Sequence, residues 1–133
     1  MHGPDHPDVA VCLSNLAHIL TDLGRAGEAL PRAERALAIT EAVHGPDHPV
    51  VAIRLNNLAA ILHRMGQTRA ALPLAERALS NTEAVQGADH PDVAIRLHNL
   101  ATILRDLGHA QRAQSLAERA AAIAGTSKSG IRL

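Results

Sequence analysis

Apolar residues recur along this chain at spacings of three and four, a pattern that predicts amphipathic helices. In the first such segment, about 7–23, the apolar stripe consists of Val9, Leu13, Leu16, Leu20 and Leu23. Pro7 suits the first turn of a helix, where its missing N–H costs nothing. Gly24 suits a left-handed position just after the last turn. We therefore expect a core-facing helix that ends at Gly24.

A second helical pattern covers about 26–43. Its predicted inward positions are Ala29, Leu30, Ala33, Ala36 and Leu37. The sequence His44-Gly45-Pro46-Asp47 then supplies turn residues that stop the helix. Together the two segments predict a helical hairpin.

The hairpin pattern occurs three times. HGPDHPDVA begins at His2, HGPDHPVVA at His44 and QGADHPDVA at Gln86, 42 residues apart each time, and the register then continues without a gap. The remaining predicted helices span about 49–65, 68–85, 91–107 and 110–124. One hairpin cannot bury its apolar faces alone, whereas stacked neighbours can.

These repeats predict one all-α domain, residues 1–124. It would be a right-handed α-solenoid of three helix-turn-helix units and six antiparallel helices, with repeats at about 2–43, 44–85 and 86–124. From Gly125 the repeat register fails, and GTSKSGIRL predicts a flexible C-terminal tail over 125–133.

Composition narrows the possible functions. The net charge is zero, with 13 basic and 13 acidic side chains, so nucleic acid and anionic membranes are not expected partners. Phe, Tyr and Trp are absent, which removes base-stacking platforms and aromatic cages. No apolar run is long enough for a membrane span, and the first residues lack the pattern of a secretory signal, so we expect neither. A single cysteine, Cys12, is consistent with a reducing, cytoplasmic setting.

Three segments carry a family resemblance. LSNLAHIL from Leu13, LNNLAAIL from Leu55 and LHNLATIL from Leu97 are each followed by a Gly and by an AERA sequence. This pattern resembles the tetratricopeptide repeat (TPR), and the 42-residue period is similar to the variant in kinesin light chains. The family usually has aromatic residues where this chain has Leu20, Ala26, Ala33 and their equivalents. We therefore expect closely packed helices rather than voids.

The resemblance implies that the first helix of each repeat lines a concave peptide-binding groove. The implied site residues are Asn15, His18, Asn56, Asn57, His63, Arg64, His98, Asn99 and Arg105. Neighbouring groove positions include Ser14, Thr21, Ala60 and Thr102. An amide side chain offers donors and an acceptor, so the row Asn15, Asn57 and Asn99 could hold a peptide backbone. Alternatively, these amides only satisfy neighbouring helix ends or water.

Charged groove residues allow two interpretations. Arg54, Arg64, Arg96 and Arg105 could attract an acidic segment, and Asp22 and Asp106 would oppose it. The simpler interpretation is a solvated charged surface.

The histidines and the cysteine do not form a recognisable reactive site. His6, His48 and His90 each precede a Pro at a helix start, so we interpret them as helix caps and inter-repeat contacts rather than zinc ligands. A zinc site that also used His2, Asp5, His44 and Asp47 is the less favoured alternative. We interpret Cys12, beside the core position Leu13, as a structural residue.

We predict no metal, no cofactor and no enzymatic activity, because the sequence has no phosphate-binding glycine loop and no nucleophile motif. The predicted function is a scaffold that holds a peptide or partner protein in the concave groove. The alternative is self-association, with homo-oligomers formed through an uncapped apolar face of the last helix, 110–124.

Overall fold

The computed structural model describes the backbone of residues 6–130 and the side chains of residues 6–125. It contains six helices, which are α1 (Pro7–Asp22), α2 (Ala26–His44), α3 (Pro49–Arg64), α4 (Thr68–Gln86), α5 (Pro91–Asp106) and α6 (Ala110–Gly130). Each helix packs against the next along the chain. No strand occurs within residues 6–130. Five of the six helices agree with their predicted bounds to within one residue.

Histidine side chains cap the first helix of each repeat. The Nδ1 atoms of His6, His48 and His90 each accept a hydrogen bond at 3.1 Å from the backbone N–H two residues later. This bond satisfies one of the donors that a helix start leaves without an intrahelical partner. The predicted capping role is therefore confirmed.

The first helices end at glycines that have a left-handed backbone. Gly24, Gly66 and Gly108 have φ angles of +79°, +80° and +89°. After the first of these, the Arg25 N–H donates to the Leu20 carbonyl at 2.8 Å, which closes the helix end and starts the turn into α2. A side chain at such a φ would be strained, so glycine is the residue that this turn needs.

The last helix is longer than predicted. α6 continues to Gly130, whereas we expected it to end at about 124 and to be followed by a polar tail. Gly125 lies inside this helix and does not have the positive φ that stops α1. No Pro follows it to break the backbone, in contrast to Gly45 at the end of α2. Residues 131–133 of the predicted tail lie outside the described residues.

The best-buried core lies in the second and third repeats. Val51, Leu55, Val93 and Leu97 are all 0% exposed, and Leu100 is 2% exposed. These residues pack at the junctions that α3 and α5 form with the preceding hairpins. The inter-repeat junctions are therefore the most deeply buried part of the solenoid.

The equivalent side of α1 is open. Leu16 is 40% exposed and Leu23 is 65% exposed, so the prediction that both belong to the core was wrong. Cys12 is exposed as well, which contradicts its assignment as a structural residue of an apolar segment. We name this surface the exposed α1 face; it consists of the exposed Cys12, Leu16, Ile19 and Leu23 and the partly buried Val9 and Leu13. Part of it forms an apolar depression of about 340 Å³.

The opposite end of the solenoid is less apolar than expected. Within residues 110–125, no large apolar side chain is exposed, and Ile123 is 5% exposed. Leu30 and Leu37 of α2 correspond by position to Gln114 and Ala121 of α6, both of which are exposed. The predicted open apolar face of the last helix is therefore not found there. Among the described helices, none is long and apolar enough to cross a membrane.

Candidate functional site

The first helices of the three repeats lie side by side, because α3 contacts both α1 and α5. A pocket opens at each of these two junctions. The first pocket is lined by Ser14, Ala17, His18, Thr21, Ala33, Ala36, Arg54, Asn57, Ala60 and Ile61. The second pocket is lined by Asn56, Ala59, Ala60, His63, His98, Asn99, Thr102 and Ile103.

The two pockets occupy equivalent places in the repeat. Ser14 and Asn57 of the first pocket correspond to Asn56 and Asn99 of the second, 42 residues later. Their volumes are about 70 Å³ and 270 Å³. The repeat therefore places one cavity at each junction between neighbouring first helices.

The first pocket is rich in hydrogen-bond donors. Asn57 Nδ2 donates to Ser14 Oγ at 3.4 Å, and an Arg54 terminal nitrogen donates to the same oxygen at 3.3 Å. The buried Nε of Arg54 has no hydrogen-bond partner among the described residues. Burial lowers the pKa of Arg54, since a charge is less favourable away from water.

Small residues form the floor of the first pocket. Ala33 and Ala36 of α2 line it beneath the first helices. Ala33 is a position where the resembling family usually has an aromatic residue. We expected close helix packing rather than voids at such positions, but here the small side chain lines a cavity.

In the second pocket, more of the polar side chains are bonded to other side chains of the protein. Asn99 Nδ2 donates to Asn56 Oδ1 at 2.8 Å, so the amides of neighbouring repeats bind each other. The His63 Nε2 pairs with an Asp106 carboxylate oxygen across the same junction. Much of its polar lining is therefore already satisfied within the protein.

Six of the nine predicted site residues line these pockets. His18 and Asn57 lie in the first pocket, and the second holds Asn56, His63, His98 and Asn99. His18 also lies 3.3 Å from an Asp22 carboxylate oxygen.

The other three predicted site residues lie outside both pockets. Asn15 and Arg105 are exposed. Arg64 donates to the backbone carbonyl of Thr21 at 3.0 Å and so contacts the last turn of α1. Asn57 and Asn99 each donate one hydrogen bond to a side chain of the preceding repeat, Ser14 and Asn56 respectively.

Two arginines depart from the predicted solvated surface. Arg96 is 8% exposed, and its Nε has no hydrogen-bond partner among the described residues. Burial lowers its pKa, and the nearby Asp92 carboxylate partly offsets this effect. Arg54 is half-buried in the equivalent position. In the sequence, each of these arginines stands between two apolar residues. This pattern could have indicated that the arginines lie at a buried junction.

No cluster of potential metal ligands occurs among the described side chains, residues 6–125. The rings of His44 and His48 stack, with centroids 4.3 Å apart, and His48 Nδ1 is already used as a helix cap. The other proposed ligands, His2 and Asp5, lie outside the described residues.

Comparisons with known proteins agree with this architecture. A family profile described as "Tetratricopeptide repeat" matches residues 8–84 and 55–125. The crystal structure of a putative kinesin light chain from Podosopora anserina, described as having nearly identical TPR-like repeats, has a TM-score of 0.84 and 25% identity. That match covers 92% of this chain and 58% of the other. No curated protein sequence matches the chain.

Two further solved structures share the fold. BtubC (BKLC) from P. vanneervenii has a TM-score of 0.83 and 26% identity, over 90% of this chain and 48% of the other. The TPR domain of Arabidopsis FLU has a TM-score of 0.77 and 15% identity, over 90% of this chain and 97% of that one. This chain thus spans about half the length of the kinesin-light-chain-like structures. The predicted fold class is confirmed.

Proposed function

Because this chain belongs to the tetratricopeptide repeat family, we propose that it is a non-enzymatic cytoplasmic scaffold that holds an extended peptide of a partner protein along its groove. Repeats of this family generally mediate protein–protein interactions. Fold alone does not identify a ligand, so the argument for the groove rests on the site itself.

The observation that carries this proposal is the pair of equivalent pockets. Both lie at junctions between first helices, and each contains an asparagine at the same position of the repeat, Asn57 or Asn99. Each amide uses one N–H to bond the preceding repeat. The second N–H and the carbonyl oxygen have no partner among the described residues. They are therefore available to a peptide backbone, which has an acceptor and a donor at every residue.

A peptide selection tests the proposal. A random peptide library displayed on phage is selected against the protein, and the affinities of the selected peptides are measured by calorimetry. We expect Asn57→Ala and Asn99→Ala each to weaken binding roughly fivefold or more, the usual effect of losing one or two hydrogen bonds. Asn15→Ala is the matched control, because Asn15 lies outside both pockets. Equal effects of all three variants, or selection of no peptide, would contradict the proposal.

The exposed α1 face favours self-association as a second candidate function. Leu16 and Ile19 are 40% and 54% exposed, whereas their equivalents Leu100 and Ile103 are 2% and 3% exposed. The same side chains are thus suited to burial against another helical hairpin. We therefore propose α1, rather than the last helix, as the surface that a second copy of the chain would cover.

Light scattering behind a sizing column tests self-association. We expect the measured mass to rise above 14.0 kDa as concentration increases. Leu16→Glu should abolish that rise, because it places a charge within the apolar face. Val11→Glu is the matched control: Val11 is 47% exposed, and its equivalent Ile95 is 52% exposed, so this position is open in every repeat. A constant monomer mass in the unmodified protein would exclude this function. If Ala121→Glu abolished the rise in mass and Leu16→Glu did not, the interface would lie on α6 instead of α1.

A further inference from the structure

The exposed α1 face contains the spacing by which two helices pair along their length. Val9, Leu16 and Leu23 are seven residues apart, and Cys12 and Ile19 each follow three residues after one of them. This is the a and d pattern of a coiled-coil contact. We name these five residues the α1 seam. None of them carries a charge, and Leu16, Ile19 and Leu23 are 40%, 54% and 65% exposed.

Cys12 is the seam residue at which α1 departs from the other first helices. Its equivalents in the second and third repeats are Arg54 and Arg96. Arg54 donates to Ser14 Oγ at 3.3 Å and so bonds the first helix of the preceding repeat. The shorter Cys12 side chain, with its weak S–H donor, cannot replace that bond. The α1 seam therefore suits an uncharged, apolar partner, and α1 of a second copy has that character.

The last helix does not offer a second copy the contacts that join consecutive repeats. Those junctions include ion pairs between second helices: Arg77 lies 2.9 Å from Glu41, and Arg119 lies 2.6 Å from Glu83. The next position in this series of glutamates is occupied by Gly125, which has no carboxylate. A copy stacked on α6 as a fourth repeat would therefore lack this ion pair.

A second junction ion pair would become a repulsion in such a stack. Arg112 of the third repeat pairs with Glu76 of the second at 3.1 Å. In a copy stacked on α6, Glu28 would take the place of Arg112 and would face Glu118. Two carboxylates opposite each other disfavour the contact. The leucines of α2 and α4 at this surface are also replaced by a polar and a smaller residue in α6. Head-to-tail stacking is therefore poorly matched in charge and in apolar surface.

We infer that two copies pair through their α1 seams in a closed, two-fold symmetric dimer. The contact uses the same surface of both copies and leaves both α6 helices outside it, so it cannot extend into a longer chain. Leu16 is the middle of the five seam positions. Full overlap of the two seams therefore brings the two Leu16 side chains together, whichever way the helices run. This inference rests on the proposed self-association and adds its symmetry and its final size.

Light scattering over a wide range of concentrations measures the final size. The mass should rise from 14.0 kDa and stop at twice that value. Cys12→Arg restores the residue type of the other two repeats, and it should raise the dissociation constant of the dimer roughly tenfold or more, because it places two unpaired charges in an apolar contact. Cys12→Ser is the matched control, since it adds no charge, and it should leave the dimer intact. Circular dichroism establishes that both variants are folded.

Disulfide trapping measures the symmetry. In a Cys12→Ser background, Leu16→Cys should form a disulfide-linked dimer when treated with oxidised glutathione, because the two copies of this position face each other. Val11→Cys in the same background is the matched control: Val11 is 47% exposed and lies outside the seam, so it should stay monomeric under denaturing conditions. Mixing Leu16→Cys with a differently tagged Gln114→Cys should give no disulfide between the two variants.

The outcomes separate this inference from the self-association on which it rests. A mass that passes the dimer, or a disulfide between Leu16→Cys and Gln114→Cys, would overturn the two-fold dimer and leave self-association standing. Equal dimerisation of Cys12→Arg and Cys12→Ser would also overturn it, because the seam would then not be the contact. A constant monomer mass of the unmodified protein would overturn both proposals.

Discussion

The first helix of the first repeat and the first helix of the third repeat have nearly the same apolar pattern and very different surroundings. Val9, Leu13 and Leu16 of α1 correspond to Val93, Leu97 and Leu100 of α5. Leu16 is 40% exposed and Leu100 is 2% exposed. The difference arises because α4 of the preceding repeat packs against α5, while no helix in the described part of the chain packs on that side of α1.

The two helices do not differ in their local backbone features. His6 and His90 accept the same 3.1 Å capping bond at the helix start. Gly24 and Gly108 both have a left-handed φ after the last turn. Substitutions at equivalent positions can therefore separate effects that depend on the neighbouring helix from effects that belong to the helix itself.

The largest expected difference is between the two leucines. Leu100→Ala should lower the free energy of unfolding by about 2–5 kcal/mol, because it removes buried methyl groups and leaves a cavity. Leu16→Ala should lower it by less than about 1 kcal/mol, since much of that side chain already contacts water. Urea denaturation followed by circular dichroism measures both. If the two variants lost similar amounts of unfolding free energy, the exposed α1 face would have to be buried in solution.

The two helix-end glycines should behave alike. Gly24→Ala and Gly108→Ala should each cost about 1–2 kcal/mol, because a side chain is strained at positive φ. Neither added Cβ would meet another atom within 4 Å, so the cost comes from the backbone alone. Gly27→Ala in α2 is the control and should stabilise the protein by roughly 0.5–1 kcal/mol. Thermal melting distinguishes the three variants, and a much larger loss at Gly108 than at Gly24 would contradict this account.

The smallest effect is expected at the histidine caps. His6→Ala and His90→Ala should each destabilise the protein by about 1 kcal/mol, because each leaves one helix-start N–H without its acceptor. Amide hydrogen exchange should speed up at Asp8 and Asp92, the donors of these bonds. His90→Asn should retain most of the protection, because its side chain also accepts. Unchanged amide hydrogen exchange at Asp8 and Asp92 in the alanine variants would show that the histidine caps do not stabilise the helix starts.

Most of the fold could be predicted because helix signals here are local. Apolar spacing, a Pro in the first turn and a Gly after the last turn placed α1 to α5 within one residue of their observed bounds. The end of α6 was missed because Gly125 and the following polar residues resemble a tail. The repeat itself contained the better signal: α2 ends at His44, and the equivalent position in the third repeat is Lys128, close to the observed end at Gly130.

The candidate site was predicted only in part. Position in the repeat predicted equivalent places for Asn57 and Asn99, and each lines a pocket between two first helices. It did not indicate that Arg64 would bind the Thr21 carbonyl. From position alone, Arg54 and Arg96 were both assigned to the same solvated charged surface. Their difference depends on how deeply each guanidinium is buried and on the Val at position 50, where the third repeat has Asp92.

By itself, the sequence determined the helices, their caps, their glycine ends and the 42-residue period, since each depends on residues within a few positions of one another. The tertiary structure decided which copy of a repeated residue is buried, paired or free. Burial and charge pairing depend on the helix that lies opposite, and identical residues in different repeats have different neighbours. Leu16 and Leu100 differ for this reason, as do Arg54 and Arg96.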